Sequence, residues 1–92
     1  MVAFIAQVPE KVKHIPEIQE LFNAIQVAKN TNNPYAQTYI NAVEQSIEGY
    51  GIEGLKTQLL YIKCNLGNWR GEEARQTKKI FDKWNKILSK YV

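Results

Sequence analysis

Along most of this chain apolar residues recur every three or four positions, the spacing that lines one face of an α-helix, and two prolines and a glycine cluster punctuate that recurrence. Four principal helical segments are predicted. The first opens near Pro16 and carries Ile18, Leu21, Phe22, Ile25 and Ala28 on one side. Glu17 and Glu20 suit its N-terminal end, where unpaired N–H groups favour negative charge. Its predicted stop is Asn30-Thr31-Asn32-Asn33, whose short polar side chains compete for backbone hydrogen bonds.

Asn33 reads as an N-cap with Pro34 at the first helical position, opening one helix over residues 34–48 with Tyr35, Ala36, Tyr39, Ile40, Val43 and Ile47 on its apolar face. Gly49 and Gly51 are expected to close it. The third segment carries Ile52, Leu55, Leu59, Ile62 and Leu66 and is predicted to end at Gly67, with Leu60 and Tyr61 widening its apolar surface. The fourth is expected to begin at Asn68 or Trp69 and to run to the C-terminus. It carries Ala74, Thr77, Ile80, Phe81, Trp84, Ile87, Leu88 and Tyr91, the strongest periodicity in the chain.

This pattern predicts an all-α fold, a bundle of four principal helices over residues 15–92 with an N-terminal arm or short extra helix over residues 1–14. The arm is expected to pack across the bundle or to exchange with a second copy. The third and fourth segments are expected at the centre, with Leu55, Leu59, Ile62, Leu66, Ile80, Phe81, Trp84 and Leu88 buried. Most of the five tyrosines and two tryptophans are expected in the core, where large rings dominate burial.

A chain of 92 residues and 10.6 kDa is the size of one domain. With 45% hydrophobic and 23% charged residues it falls among ordinary globular sequences rather than disordered or fibrous ones. A single cysteine, Cys64, makes no intramolecular disulfide, which favours a reducing, cytoplasmic setting. The opening residues have no basic stretch ahead of their apolar run and no small-residue cleavage pattern, so no exported leader is expected. No window approaches the ~20 apolar residues that span a bilayer, and membrane insertion is not expected.

The formal charge of +3 is unevenly placed. Residues 69–92 hold seven Lys and Arg against three acids, a net +4, while residues 1–68 net −1. On a helix turning 100° per residue, Arg75, Lys79, Lys83, Lys86 and Lys90 fall within an arc of roughly 80°, opposite Phe81, Trp84 and Leu88. Such a stripe, with Arg70 just ahead of it, suits phosphate contacts or an acidic protein face; it is also what the solvated side of a terminal helix looks like. Glu72 and Asp82 dilute it, and no aromatic residue is interleaved with the cations to stack on bases. Trp69-Arg70-Gly71 is a second place to look: Gly71 disfavours a helix interior and suits a close backbone approach, so Trp69 and Gly71 are candidates for a packing contact or partner site.

Chemistry is thinly signalled. Gly49-Tyr50-Gly51-Ile52-Glu53-Gly54 matches G-x-G-x-x-G, but a helical pattern precedes it and Glu53 would face the phosphates, so it reads as a helix-to-helix turn. His14 and Cys64 are each the sole residue of their kind, and Cys64 reads as a buried mid-helix hydrophobe rather than a nucleophile. Glu17 with Glu20 and Glu44 with Glu48 pair on helix faces without the histidine a carboxylate metal bundle wants, so no metal and no cofactor are expected. A helix-turn-helix over residues 34–66, with Lys56, Gln58 and Lys63 at the groove, fits poorly because Leu59-Leu60-Tyr61-Ile62 belongs in a core. The sequence is therefore read as a non-enzymatic interaction or assembly protein acting through a protein partner or a second copy. The alternative is a nucleic-acid-binding accessory protein using the basic face of its last helix.

Overall fold

The structure, a computed structural model, describes residues 8–91. The described residues are helical with no strand: α1 spans Ile18–Ala28, α2 Pro34–Asn41, α3 Val43–Tyr50, α4 Ile52–Cys64 and α5 Glu72–Leu88. The apolar run over residues 2–6, part of the expected arm, lies outside the described residues. The rest of the arm makes a short 3₁₀ turn at Glu10–Val12, and Val12 and Ile15 are buried in the common core.

α1 begins at Ile18, two residues after the predicted start, because Glu17 takes a left-handed conformation (φ 60°, ψ 18°). That reversal folds the preceding segment back so that Val12 and Ile15 join the same core as Leu21 and Ile25. Asn33 caps α2 as expected, its Oδ1 accepting from the Tyr35 and Ala36 backbone N–H groups at 2.8 and 3.2 Å, with Pro34 first in the helix.

The single helix predicted over residues 34–48 is two helices. At Ala42 (φ −90°, ψ −4°) the backbone N–H is shared between the Thr38 and Tyr39 carbonyls, which tightens the turn and redirects the chain. Ala36 and Ile40 on α2 and Val43 and Ile47 on α3 then all face inward, and both helices pack on α4. Gly49 lies inside α3, and the turn into α4 is made at Gly51, whose φ of 66° suits glycine.

α4 buries Leu55, Leu59 and Ile62 and touches α2, α3 and α5, so it is the central helix. Its end comes earlier than predicted: Asn65 caps it, with its Nδ2 donating to the Tyr61 carbonyl at 2.9 Å. Leu66 is buried from the loop beyond, and Gly67 makes no left-handed turn. Cys64, expected buried in mid-helix, is the exposed last residue of α4.

α5 starts at Glu72 rather than at residue 68 or 69, because Gly71 stands at φ 109°, outside helical geometry. It buries Ala74, Thr77, Phe81, Trp84 and Leu88, leaves Ile80 and Ile87 half-buried, and packs more extensively against α1 than against α4. The expectation that most rings are core does not hold. Of the tyrosines and tryptophans only Trp84 is fully buried; Tyr39 and Trp69 are half-buried, and Tyr35, Tyr50, Tyr61 and Tyr91 are exposed.

Candidate functional site

α5 carries Arg75, Lys79, Lys83 and Lys86, and its buried line of Phe81, Trp84 and Leu88 turns that arc outward; the helix ends at Leu88 rather than running to the C-terminus, so Lys90 lies in the turn beyond it. Arg75, Lys79, Lys83, Lys86 and Lys90 lie on the surface, but they are not equivalent. Lys83 at one edge of the arc reaches Glu20 of α1 at 2.6 Å, so it pins two helices together. Arg75 pairs with Glu72 one turn earlier, and Asp82, beside the stripe, pairs with Lys63 of α4. Lys79, Lys86 and Lys90 have no side-chain partner among the described residues.

Two connections meet at the end of the bundle where α5 begins. The α1–α2 loop is tied to the first turn of α5 by Asn30 Nδ2 donating to Glu73 Oε1 at 3.0 Å. The α4–α5 loop is tied to α5 by Lys78 Nζ donating to the Trp69 carbonyl at 2.8 Å, so Lys78 is occupied in holding the fold. Near these ties lies an open cleft of about 550 Å³, whose walls include Trp69, Arg70, Arg75 and Lys79 together with Glu72 and Asp82. A second cleft, of about 540 Å³, adjoins it between Asn32, Pro34 and Tyr35 on one side and Asn68, Trp69 and Arg70 on the other.

Trp69 and Arg70 border both clefts. Trp69 is half-buried, packed against the core, while Arg70 is exposed and has no side-chain partner among the described residues. Trp69 stands next to Arg70 in the sequence; folding of the α4–α5 loop also brings it to the same cleft as Arg75 and Lys79 of α5, a relationship that depends on tertiary structure and leaves no local signal. The close backbone approach expected at Gly71 is absent, since nothing lies within 4 Å of the position a Cβ would take; its φ is what calls for glycine. That approach occurs instead at Gly54, where a Cβ would sit 2.7 Å from the Ser46 carbonyl carbon and closer still to its oxygen.

A different surface lies along α4. Leu60 and Tyr61 are 50% and 45% exposed, and the Tyr61 ring meets that of Tyr39 at 5.2 Å between centroids. Leu60 and Tyr61 line a groove of about 440 Å³ with Glu53, Lys56, Thr57 and, from α5, Asn85.

The remaining candidates are not brought together. His14 meets the edge of Tyr91 at 6.5 Å and makes no hydrogen bond to Cys64. Glu44 and Glu48 are exposed on α3, and among the described residues no three His, Cys, Asp or Glu side chains converge as a metal site would need. In the glycine-rich turn the Gly54 backbone lies against that of Ser46, and a helix, α3, precedes the turn where a dinucleotide site has a strand. Among the described residues no helix is long and apolar enough to cross a membrane. Compared with protein-family models, curated proteins and solved structures, the chain matches none.

Proposed function

We propose that this chain is a non-enzymatic interaction protein that associates with a second copy of itself through the exposed face of α4. The observation that carries the reading is the pairing of Leu60 and Tyr61, both about half exposed, along a groove that a helix-forming neighbour can fill. Burying such side chains yields about 25 cal/mol per Å² of apolar surface removed from water. Glu53 and Lys56 stand on the same groove with opposite charges. A surface that holds both signs beside an apolar strip is complementary to itself across a two-fold axis, the arrangement of an isologous dimer.

Sedimentation or light scattering over a concentration series tests this reading. The expected result is a reversible rise from 10.6 kDa toward twice that mass, abolished by Leu60→Asp, a substitution at an exposed position that leaves the helical circular dichroism unchanged. A monomer at every concentration, or a dimer indifferent to Leu60→Asp, would overturn it.

A further inference from the structure

From the junction of the two clefts at Trp69 and Arg70 we infer a binding site for single-stranded nucleic acid, on a surface separate from the α4 groove. Three features of the site select that ligand class.

The first is a held aromatic wall. Trp69 packs against the core on one side and borders open clefts on the other, and its carbonyl is anchored by Lys78. A base stacks on a ring already fixed in place without having to order it, and such stacking tolerates any sequence because every base has a π-face.

The second is the charge that remains after the internal pairs are formed. The two acids of the first cleft are engaged, Glu72 by Arg75 and Gln76 and Asp82 by Lys63. Arg70 and Lys79 are left over in the same cleft. Arg70 presents a planar fork that suits a phosphate and stacks on rings, and Lys79 supplies a point charge. From Lys79 to Lys86, the unpaired lysines of α5, the charge continues for about 10 Å along the helix, at about 1.5 Å per residue, a track for the backbone beyond the stacked base.

The third is the polar lining of the adjoining cleft. Asn32 and Asn68 are exposed amides, each with two donors and an acceptor, and Tyr35 is 68% exposed beside them. This set suits the edges and faces of unpaired bases. A duplex hides its base faces in the stack, where a ring such as Trp69 cannot reach them. An acidic polypeptide would use the cations and have no use for the ring.

The test is fluorescence anisotropy of a labelled oligothymidylate with the whole chain, at low and raised salt. Binding at low salt that weakens as salt rises is expected. Arg70→Ala/Lys79→Ala, both on surface positions, should weaken it about tenfold or more and flatten the log–log salt slope by about 1.4, since each phosphate contact on a single strand contributes about 0.7. Addition of oligonucleotide should quench tryptophan emission, and Trp69→Phe should remove the quenching while keeping most of the affinity, because Trp84 is buried and Phe preserves a stacking face. Polyglutamate should compete poorly. No binding at low salt, an unchanged double variant, or polyglutamate binding as tightly and without quenching would each overturn the assignment.

Discussion

Glu20 and Trp84, 64 residues apart, are joined by a 2.9 Å hydrogen bond from the indole Nε1 to Oε1, and Lys83 Nζ reaches the same oxygen at 2.6 Å. One carboxylate thus fastens α5 to α1 and gives the buried indole its partner. The hydrogen bond from Lys83, then that from Trp84, holds the Glu20 carboxyl below the ordinary value of 4.5, with its slight desolvation opposing. A carboxyl whose folded value lies below its unfolded value binds fewer protons when folded. It therefore stabilises the fold above the unfolded value, and that contribution is lost as pH falls below 4.5 through the folded one. Glu20→Gln keeps an acceptor for Trp84 and removes the titrating group, so its stability should fall less steeply in acid than that of the unaltered chain. Glu20→Ala strands the indole N–H and should cost about 1 kcal/mol at neutral pH, discounted for the solvent that reaches Glu20. Chemical denaturation at a series of pH values checks both; equal acid slopes for the Glu20→Gln variant and the unaltered chain would remove Glu20 from the account.

Phe81 is fully buried in the common core that also holds Leu59, Ile62 and Leu66. Its ring has no polar atom to satisfy, so truncation measures packing alone. Phe81→Ala should cost about 3–5 kcal/mol, a large share of what a domain this size has to lose. Denaturant midpoints, or failure to fold at all, report the outcome; a loss under about 1 kcal/mol would contradict the burial.

Two glycines make opposite predictions for the same substitution. Gly49 lies in α3 with open space around a would-be Cβ, so Gly49→Ala should stabilise by about 0.5–1 kcal/mol through lost freedom of the unfolded chain. At Gly54 the Cβ would meet the Ser46 carbonyl carbon at 2.7 Å and crowd its oxygen further, and these are backbone atoms that move only if α3 leaves α4. Gly54→Ala should therefore destabilise by about 2 kcal/mol or more despite its better helix propensity. Melting temperatures of the two variants should move in opposite directions.

Those glycines also mark where sequence stops being informative. The cap at Asn33 is readable because an N-cap is made by a side chain and the backbone N–H groups two and three residues on, all local. The inward line of α5 is readable because one long helix keeps one phase, which also places the cationic stripe on the outer face. The bend at Ala42 is hidden because the apolar spacing 36-40-43-47 runs through it unbroken: each new helix resumes the phase of the last. Gly54 is in contact because α3 and α4 cross there, and Trp69 joins the cations of α5 because a loop folds back; neither crossing nor fold-back has a period to detect. Exposure of Tyr35, Tyr50 and Tyr91 is illegible for a related reason, since a ring at the edge of an apolar stripe is core only if another element covers it, and among the described residues none does.

Glu17 is the non-glycine among the described residues that sits at positive φ, 60°. For an L-residue with a Cβ that conformation costs about 1–2 kcal/mol, whereas asparagine visits it routinely because its short side chain bonds locally. The chain tolerates the strain because the reversal at Glu17 delivers Val12 and Ile15, at 0% and 2% exposure, into the core ahead of α1. The carboxylate itself is exposed and engages no side chain among the described residues, so replacing it removes no tertiary contact. Glu17→Asn should therefore raise stability by up to about 1 kcal/mol, which in a chain of this length moves the melting temperature upward by about 4–8 °C. Glu17→Val, which adds branching at Cβ, should lower it, since a β-branched residue is a poorer fit at positive φ than glutamate. If Asn and Val shift the melting temperature alike, the left-handed turn does not set the energy of this junction, and the burial of Val12 and Ile15 must be secured by another route.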